Sequence, residues 1–309
     1  MDSRKVEDVP SLLVLPFPTA PAGPSTVALP EELVKGTCHD LSDLGYQFNP
    51  LLPSLPTIEK GIYISTLWKR LLPLFKGTLR ASIHKVLPDE EREAQHETLV
   101  HRFEVSGSIT VVFIHAELTD ENSLALVASE VEGFSYPHCL HPLCECLTGT
   151  ECDCTNATNG LWSPVLAILS NGLSFQYFIY NSITAPTRIS ASRVFPGLGL
   201  SSNENGLDEA SVEGVLQRMY YVFLCGYING IKAQIRRISV VYGEDDRTGE
   251  ALERALEEAE GALGAGKEAI DGTVGAEEGT EALARSTEYL RKVASKPEEV
   301  NYDTGKSSL

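Results

Sequence analysis

The chain has 309 residues, and its 25 lysines and arginines against 43 aspartates and glutamates give a formal net charge of −18. An apolar content of 42% is enough for a sizeable core, so a wholly disordered chain is excluded. The negative charge disfavours nucleic acid as a partner but leaves room for a local basic cleft, because nucleic-acid affinity comes mainly from lysine and arginine side chains on phosphates.

The chain begins with MDSRKVEDVP, and prolines interrupt the apolar run that follows. This segment therefore does not match a secretory signal. No apolar stretch reaches the roughly 20 residues of a membrane-spanning helix. We therefore expect an intracellular protein, cytoplasmic or nuclear, with no transmembrane segment and with a protein partner as one option.

The sequence predicts three segments. Residues 1–57 hold nine of the 17 prolines and should be extended or irregular, because proline fixes φ and removes a backbone donor. Residues 58–243 should form the core. Within it, leucines recur at helical spacing from Ile62 to Leu87, with Pro73 between them, which indicates one or two short helices.

Two runs rich in β-forming residues, Leu99–Val105 and Ile109–Leu118, flank a short Gly-containing connection and predict a hairpin. The apolar residues of Leu124–Glu132 share one helical face, so a helix is predicted there. Further on, Asn171-Gly172 separates the strands predicted at Pro164–Ser170 and Leu173–Tyr180, and this dipeptide is a strong hairpin signal.

Asp208 is a candidate N-cap for a long, buried helix from about Glu209 to Arg237. The third segment, residues 244–309, carries 17 acidic and eight basic residues and has few aromatics. Helices with weak apolar faces are predicted over Ala251–Leu263 and Thr280–Ala294, and neither should contribute much to a core. We therefore expect an acidic, solvated tail.

Together these elements predict a mixed α/β (α+β) fold with a small central mixed sheet of about four to five strands, flanking helices, and disordered or weakly helical ends. The words FEVSGSITVVFIHAEL, SPVLAILSNGLSFQYFIYN and GYINGIKAQ resemble a group of uncharacterised fungal proteins with a restriction-endonuclease-like, PD-(D/E)XK fold. The resemblance covers roughly residues 97–135 and 161–237, and it implies a nuclease-like core.

The resemblance also implies where a Glu-x-Lys motif should stand, and this chain departs from it. The carboxylate position falls on His115 and the lysine position on Glu117. An imidazole is a poor ligand for Mg²⁺, which prefers oxygen donors, and a glutamate reverses the charge beside a scissile phosphate. The expected protein is therefore a nuclease-like scaffold that lacks its catalytic set and works as a binding or interaction module.

An active alternative stays open at this point. A Mg²⁺-dependent nuclease with a migrated site could use Glu117 with Glu104 or Asp89 as the upstream acid and a lysine from elsewhere, with Lys85 and Lys232 as guesses. Asp89 and Glu104 are, however, better explained as ordinary surface or strand-edge carboxylates.

A cysteine-rich insert at residues 136–160 interrupts the core. Its thiols and imidazoles could bind Zn²⁺ and so order a loop that is too small to have its own core, which would make the protein a zinc-stabilised interaction module. The pairs have one intervening residue, whereas zinc sites usually have two to four, so reduced surface thiols on a flexible insert remain the other interpretation. The candidate zinc ligands are His138, Cys139, His141, Cys144, Cys146, Cys152 and Cys154.

Overall fold

The computed structural model describes residues 14–16, 25–48, 51–52, 55, 57–83, 109–115, 125–131, 165–181, 188–199, 207–242 and 247–294. Five α-helices lie within these residues: α1 (Glu31–Gln47), α2 (Thr57–Leu71), α3 (Glu209–Tyr242), α4 (Arg247–Ile270) and α5 (Ala276–Ala294). The strands are β1 (Val14–Pro16), β2 (Leu79–Ile83), β3 (Ile109–His115), β4 (Ala125–Val131), β5 (Val165–Ser170), β6 (Ser174–Asn181), β7 (Arg188–Ala191) and β8 (Phe195–Pro196).

The eight strands form one mixed sheet in the order β1-β7-β6-β5-β4-β3-β2, with β8 paired to β6. Strands β2, β3 and β4 are antiparallel, β5 runs parallel to β4, and β6 is antiparallel to β5. The predicted mixture of helices and strands is confirmed. The predicted number of four to five strands is too low, because several strands have only two to five residues, too few to show a clear alternation.

Strand β4 corrects the helix predicted over Leu124–Glu132. Its residues pair with β3 on one side and with β5 on the other. The segment ALVASEV places apolar residues at both helical and strand spacing, so its pattern does not decide between the two. Pairing on both sides satisfies the backbone and overrides a weak local preference. The predicted hairpin partner Leu99–Val105 lies outside the described residues, and the strands on either side of β3 are β2 and β4.

The second predicted hairpin is confirmed. Strands β5 and β6 pair in register up to Ser170 and Phe175. In the turn, the Asn171 side-chain oxygen accepts hydrogen bonds from the backbone N–H groups of Leu173 at 3.0 Å and Ser174 at 2.9 Å. Gly172 has a φ of 81°, a conformation that glycine adopts without steric cost. Local turn chemistry therefore specifies this connection.

Helix α1 corrects the prediction that residues 1–57 are extended or irregular. It begins after Pro30, which has φ −53° and ψ 135° and stands at the N-cap, and it runs through a stretch without proline. Its buried residues Val34, Thr37 and Leu41 recur at helical spacing, and the helix contacts α2 and α3. The prediction was wrong because it was based on the proline count of the whole segment and not on the stretch without proline within it.

The region predicted as one or two short helices contains α2 and a short 3-10 helix, Leu72–Phe75, that includes Pro73. Leu67, Leu71 and Phe75 are fully buried, as their spacing indicates. Leu79, however, begins β2. The helical interpretation is thus correct up to Phe75 and wrong beyond the turn at residues 76–78.

An ion pair joins α1 to α2. Arg70 donates from its Nε and from one terminal nitrogen to the two oxygens of Asp40, both at 2.6 Å, and it also contacts the Gly36 carbonyl oxygen at 3.3 Å. Both side chains are partly exposed. The hydrogen bonds from Arg70 lower the pKa of the Asp40 carboxyl, and the charge of the guanidinium adds to this effect.

We expect Asp40→Asn to lower the free energy of unfolding by up to about 1 kcal/mol at neutral pH, because the pair is half-exposed and bidentate. Since the folded pKa of Asp40 lies below its unfolded value, the stabilisation is present above about pH 4 and is lost as pH falls through the folded pKa. Urea unfolding of both proteins at neutral and acidic pH measures this. A stability difference that stays constant into acid would contradict it.

Helix α3 forms the centre of the core, and the predicted N-cap is confirmed. The Asp208 carboxylate accepts a hydrogen bond from the Ser211 backbone N–H at 3.0 Å. Farther along α3, the buried Tyr220 and Tyr227 rings contact the Phe75 ring, with centroid distances of 6.1 and 5.4 Å. This aromatic cluster joins α3 to the end of the 3-10 helix.

Helices α4 and α5 correct the prediction of a solvated tail. The two helices pack closely on each other, and α4 also contacts α3. The Ser286 hydroxyl donates to the Ala255 carbonyl oxygen at 2.6 Å and lies 3.2 Å from the Tyr227 hydroxyl. Small residues of α4 and α5 face each other and let the two helix backbones approach closely. Short side chains are therefore enough to form a buried contact between these helices. Its buried members include Ala255, Ala259, Ala262, Gly266, Gly279, Leu283, Ser286 and Leu290.

The described parts of the chain include no helix that is both long and apolar enough to cross a membrane.

Candidate functional site

Strand β3, which holds the first motif position that the resemblance predicts, lies inside the sheet. Strand β3 pairs with β2 over residues 111–115 and with β4 over residues 109–114, and its last residue, His115, is opposite Leu79 at the start of β2. Glu117, Glu104, Asp89 and Lys85 lie outside the described residues. Their proposed roles therefore stay predictions.

The end of α5 contacts the turn that leads into β2. Lys76 in this turn has a φ of 46°, and its ammonium lies 3.4 Å from a Glu288 carboxylate oxygen. The Arg291 guanidinium donates to the Lys76 carbonyl oxygen. Two side chains of α5 thus contact Lys76, three residues before Leu79, the residue that is opposite His115. One of them, the Glu288 carboxylate, pairs with the Lys76 ammonium.

The other candidate lysine, Lys232, lies on α3 and forms an ion pair with Glu260 on α4 at 2.6 Å. Both side chains are about half-exposed. This contact joins two helices, and Glu260 is none of the three predicted carboxylates. The structure therefore assigns Lys232 a contact in helix packing.

The seven candidate zinc ligands of the cysteine-rich insert lie outside the described residues, so zinc binding stays a prediction. Among the residues that are described, no group of three or more histidine, cysteine, aspartate or glutamate side chains could hold a metal ion. Burial raises the pKa of the Cys38 thiol to about 11, and burial also raises the pKa of the Cys225 thiol. Both thiols are therefore protonated and poorly nucleophilic near neutral pH.

A pair of arginines meets at the phenylalanine of β8. The guanidinium carbons of Arg193 and Arg218 lie 5.0 and 4.7 Å from the centre of the Phe195 ring. Arg193 comes from the segment between β7 and β8, and Arg218 comes from the third turn of α3. One terminal nitrogen of Arg218 also donates to the Gly214 carbonyl oxygen at 2.7 Å. We call these two arginines with Phe195 the arginine–phenylalanine cluster.

A buried tyrosine supports this cluster from the core side. The Tyr177 ring contacts the Phe195 ring edge-on, with a centroid distance of 5.8 Å. Tyr177 is 1% exposed, and its hydroxyl has no hydrogen-bond partner in the described part of the chain. Burial strongly raises the pKa of this hydroxyl, and the positive charge of Arg218 opposes that rise. Tyr177 therefore places a hydroxyl that has no partner among the described residues within electrostatic reach of Arg218.

The sequence interpretation did not identify the arginine–phenylalanine cluster. The short run RVF at residues 193–195 has a cation two positions before an aromatic residue, which is a weak local signal. Arg218 joins it only because β8 pairs with β6 and α3 lies beside this end of the sheet. Because Arg218 is more than 20 residues away from Arg193 and Phe195 in the sequence, the sequence alone did not show that these side chains lie together.

No protein-family model, no curated protein and no solved structure matches this chain in the comparisons with known proteins.

Proposed function

We propose that this protein is a non-catalytic, nuclease-like scaffold that acts as a binding module. The proposal combines the resemblance of its β3 and β5–β6 segments to the PD-(D/E)XK group with the identity of the residues at the motif positions. An imidazole and a carboxylate at positions 115 and 117 cannot supply the carboxylate and ammonium that metal-dependent phosphodiester cleavage needs there.

The observation that carries this proposal is the position of β3. It is an interior strand, with β2 and β4 on its two sides, and His115 is its last residue. If β3 lay outside the sheet, the resemblance to a nuclease-like core would lose its structural basis. The mixed sheet with α2 and α3 against it is also compatible with a nuclease-like core.

A cleavage assay tests the absence of catalysis. The purified chain is incubated with Mg²⁺ or Mn²⁺ and with single- and double-stranded DNA and RNA, and products are separated on a denaturing gel. We expect no cleavage above the protein-free blank, because the motif positions lack the ammonium and the first carboxylate. The same assay with EDTA identifies any metal-independent contaminant.

Metal-dependent cleavage that disappears in Glu117→Ala would overturn the proposal and favour the migrated-site nuclease. Glu281→Ala is the matched control, since it removes one exposed carboxylate from α5, on a different element from the motif strand. Cleavage that survives in Glu117→Ala but is lost in Glu104→Ala or Asp89→Ala would overturn it equally.

A further inference from the structure

We infer that the arginine–phenylalanine cluster is a binding site for an oxyanion, the phosphate or carboxylate group of a ligand, held by the guanidinium groups of Arg193 and Arg218. This inference rests on the proposed function in one respect: it takes the protein to bind its ligand without cleaving it. It adds the chemical class of that ligand and the residues that recognise it.

The first argument is charge. The chain has an excess of 18 negative charges, yet in the described part of the chain neither Arg193 nor Arg218 forms an ion pair with a carboxylate. By contrast, Arg70, Arg254 and Arg285 pair with Asp40, Glu250 and Glu258. On α3, the Glu213 carboxylate accepts a hydrogen bond from the Gln217 side chain at 2.8 Å. Within the described residues, two arginines without a carboxylate partner thus lie at one phenylalanine in an acidic protein.

The second argument is geometry. Both guanidinium carbons lie within 5.0 Å of the centre of the same ring, so their separation cannot exceed the sum of the two distances. The inference places the two guanidiniums on the same side of the ring, where one oxyanion can accept charge-assisted N–H···O bonds of about 2.8 Å from both. Each guanidinium has five N–H donors in a planar fork, and one bond of Arg218, to the Gly214 carbonyl, uses only part of its set.

The third argument is that the cluster is held in place before a ligand arrives. Phe195 is 4% exposed, and its ring is fixed by Tyr177, so it presents a rigid surface to the guanidinium groups. Arg218 is further held by the Gly214 carbonyl, and a β-carbon at position 214 would lie 3.1 Å from its terminal nitrogen. Side chains that are already ordered lose less conformational entropy when a ligand binds.

The accessibility of the two arginines suits a ligand that approaches from solvent. Arg193 is exposed and Arg218 is half-exposed, whereas Phe195 and Tyr177 are buried behind them. The two guanidinium groups can therefore be reached by an anionic group that approaches from solvent.

The test titrates the full-length ¹⁵N-labelled chain with inorganic phosphate and, separately, with acetate, at constant ionic strength set with sodium chloride and without divalent metal. The side-chain Nε–H signals of Arg193 and Arg218 report binding. We expect both signals to shift saturably with at least one of the two anions. Phosphate alone identifies a phosphate-bearing ligand, and acetate alone identifies a carboxylate.

Three variants locate the site. Arg193→Ala and Arg218→Ala should each weaken binding at least tenfold, as followed on the remaining arginine signal, because each removes charge-assisted hydrogen bonds. Phe195→Leu keeps an apolar side chain but loses the ring, and it should weaken binding less. The matched control is Arg285→Ala, which removes the same charge from an arginine that already pairs with Glu258, and it should leave the affinity unchanged.

No saturable shift with either anion would overturn the inference, and so would equal weakening by Arg285→Ala and Arg193→Ala, which would indicate general charge attraction. Arg193 lies in an exposed segment, so its variant is informative even where Arg218→Ala fails to fold. A failed titration leaves the non-catalytic proposal intact. Metal-dependent cleavage would overturn that proposal without affecting the titration.

Discussion

Replacing Phe75 with alanine is expected to lower the free energy of unfolding by about 3–5 kcal/mol. Phe75 is 0% exposed and ends the 3-10 helix, and its ring contacts the rings of Tyr220 and Tyr227 on α3. Removing the ring would lose its burial and both aromatic contacts. It would also leave a cavity between elements that can collapse only in part. Urea denaturation followed by circular dichroism measures the change.

Two controls separate this effect from a general loss of aromatic surface. Phe75→Leu keeps most of the buried volume and should cost about 1–2 kcal/mol. Phe48→Ala removes a ring that is 44% exposed and should change stability by roughly 0.5 kcal/mol or less. A similar loss in Phe75→Ala and Phe48→Ala would contradict a central role for the aromatic cluster.

Replacing Gly197 with alanine is expected to destabilise the protein by about 1–3 kcal/mol, although the change adds a single methyl group. A β-carbon at this position would overlap the Gly172 carbonyl oxygen, and it would lie 2.6 Å from the Leu173 carbonyl carbon and 2.7 Å from the Ser174 nitrogen. All three are backbone atoms of the β5–β6 turn, so no side chain can rotate to relieve the overlap.

The matched control is Gly261→Ala on α4. Gly261 is exposed, and a β-carbon there meets no atom within 4 Å in the described part of the chain. Because alanine is the better helix former, this variant should gain up to about 1 kcal/mol. Thermal and urea unfolding of the two variants side by side measures the contrast. If Gly197→Ala were as stable as the unsubstituted protein, the close approach of residue 197 to the turn would be refuted.

The β5–β6 hairpin and helix α3 could be predicted from the sequence because local chemistry defines both. Asn171-Gly172 specifies the turn, and the Asp208 side chain caps the helix. In α3 the apolar residues cover most of the circumference, which indicates burial whatever the neighbours are. Both predictions needed only residues that are close in sequence.

The failures share a different cause. Residues 125–131 become a strand because β3 and β5 lie on both sides of them. The acidic segment joins the core because its alanines and glycines face each other across α4 and α5. A β-carbon on Gly279 would lie 3.2 Å from the Ala262 carbonyl oxygen, which shows how close the two backbones are. The low average hydrophobicity of this segment predicted a solvated tail. Its burial depends instead on how closely the two helix backbones approach each other, which average hydrophobicity does not measure.

The same division holds for the candidate sites. The sequence by itself determined that position 115 carries an imidazole and position 117 a carboxylate. Because the identity of a side chain fixes its chemistry, the sequence also determined which metal ligands and charges these two positions can supply. It also determined the locally encoded turn and cap. Only the tertiary structure decided that β3 is an interior strand and that Arg193 and Arg218 meet at Phe195. Strand pairing and helix docking join residues far apart in the chain, and such contacts depend on all the packed elements at once.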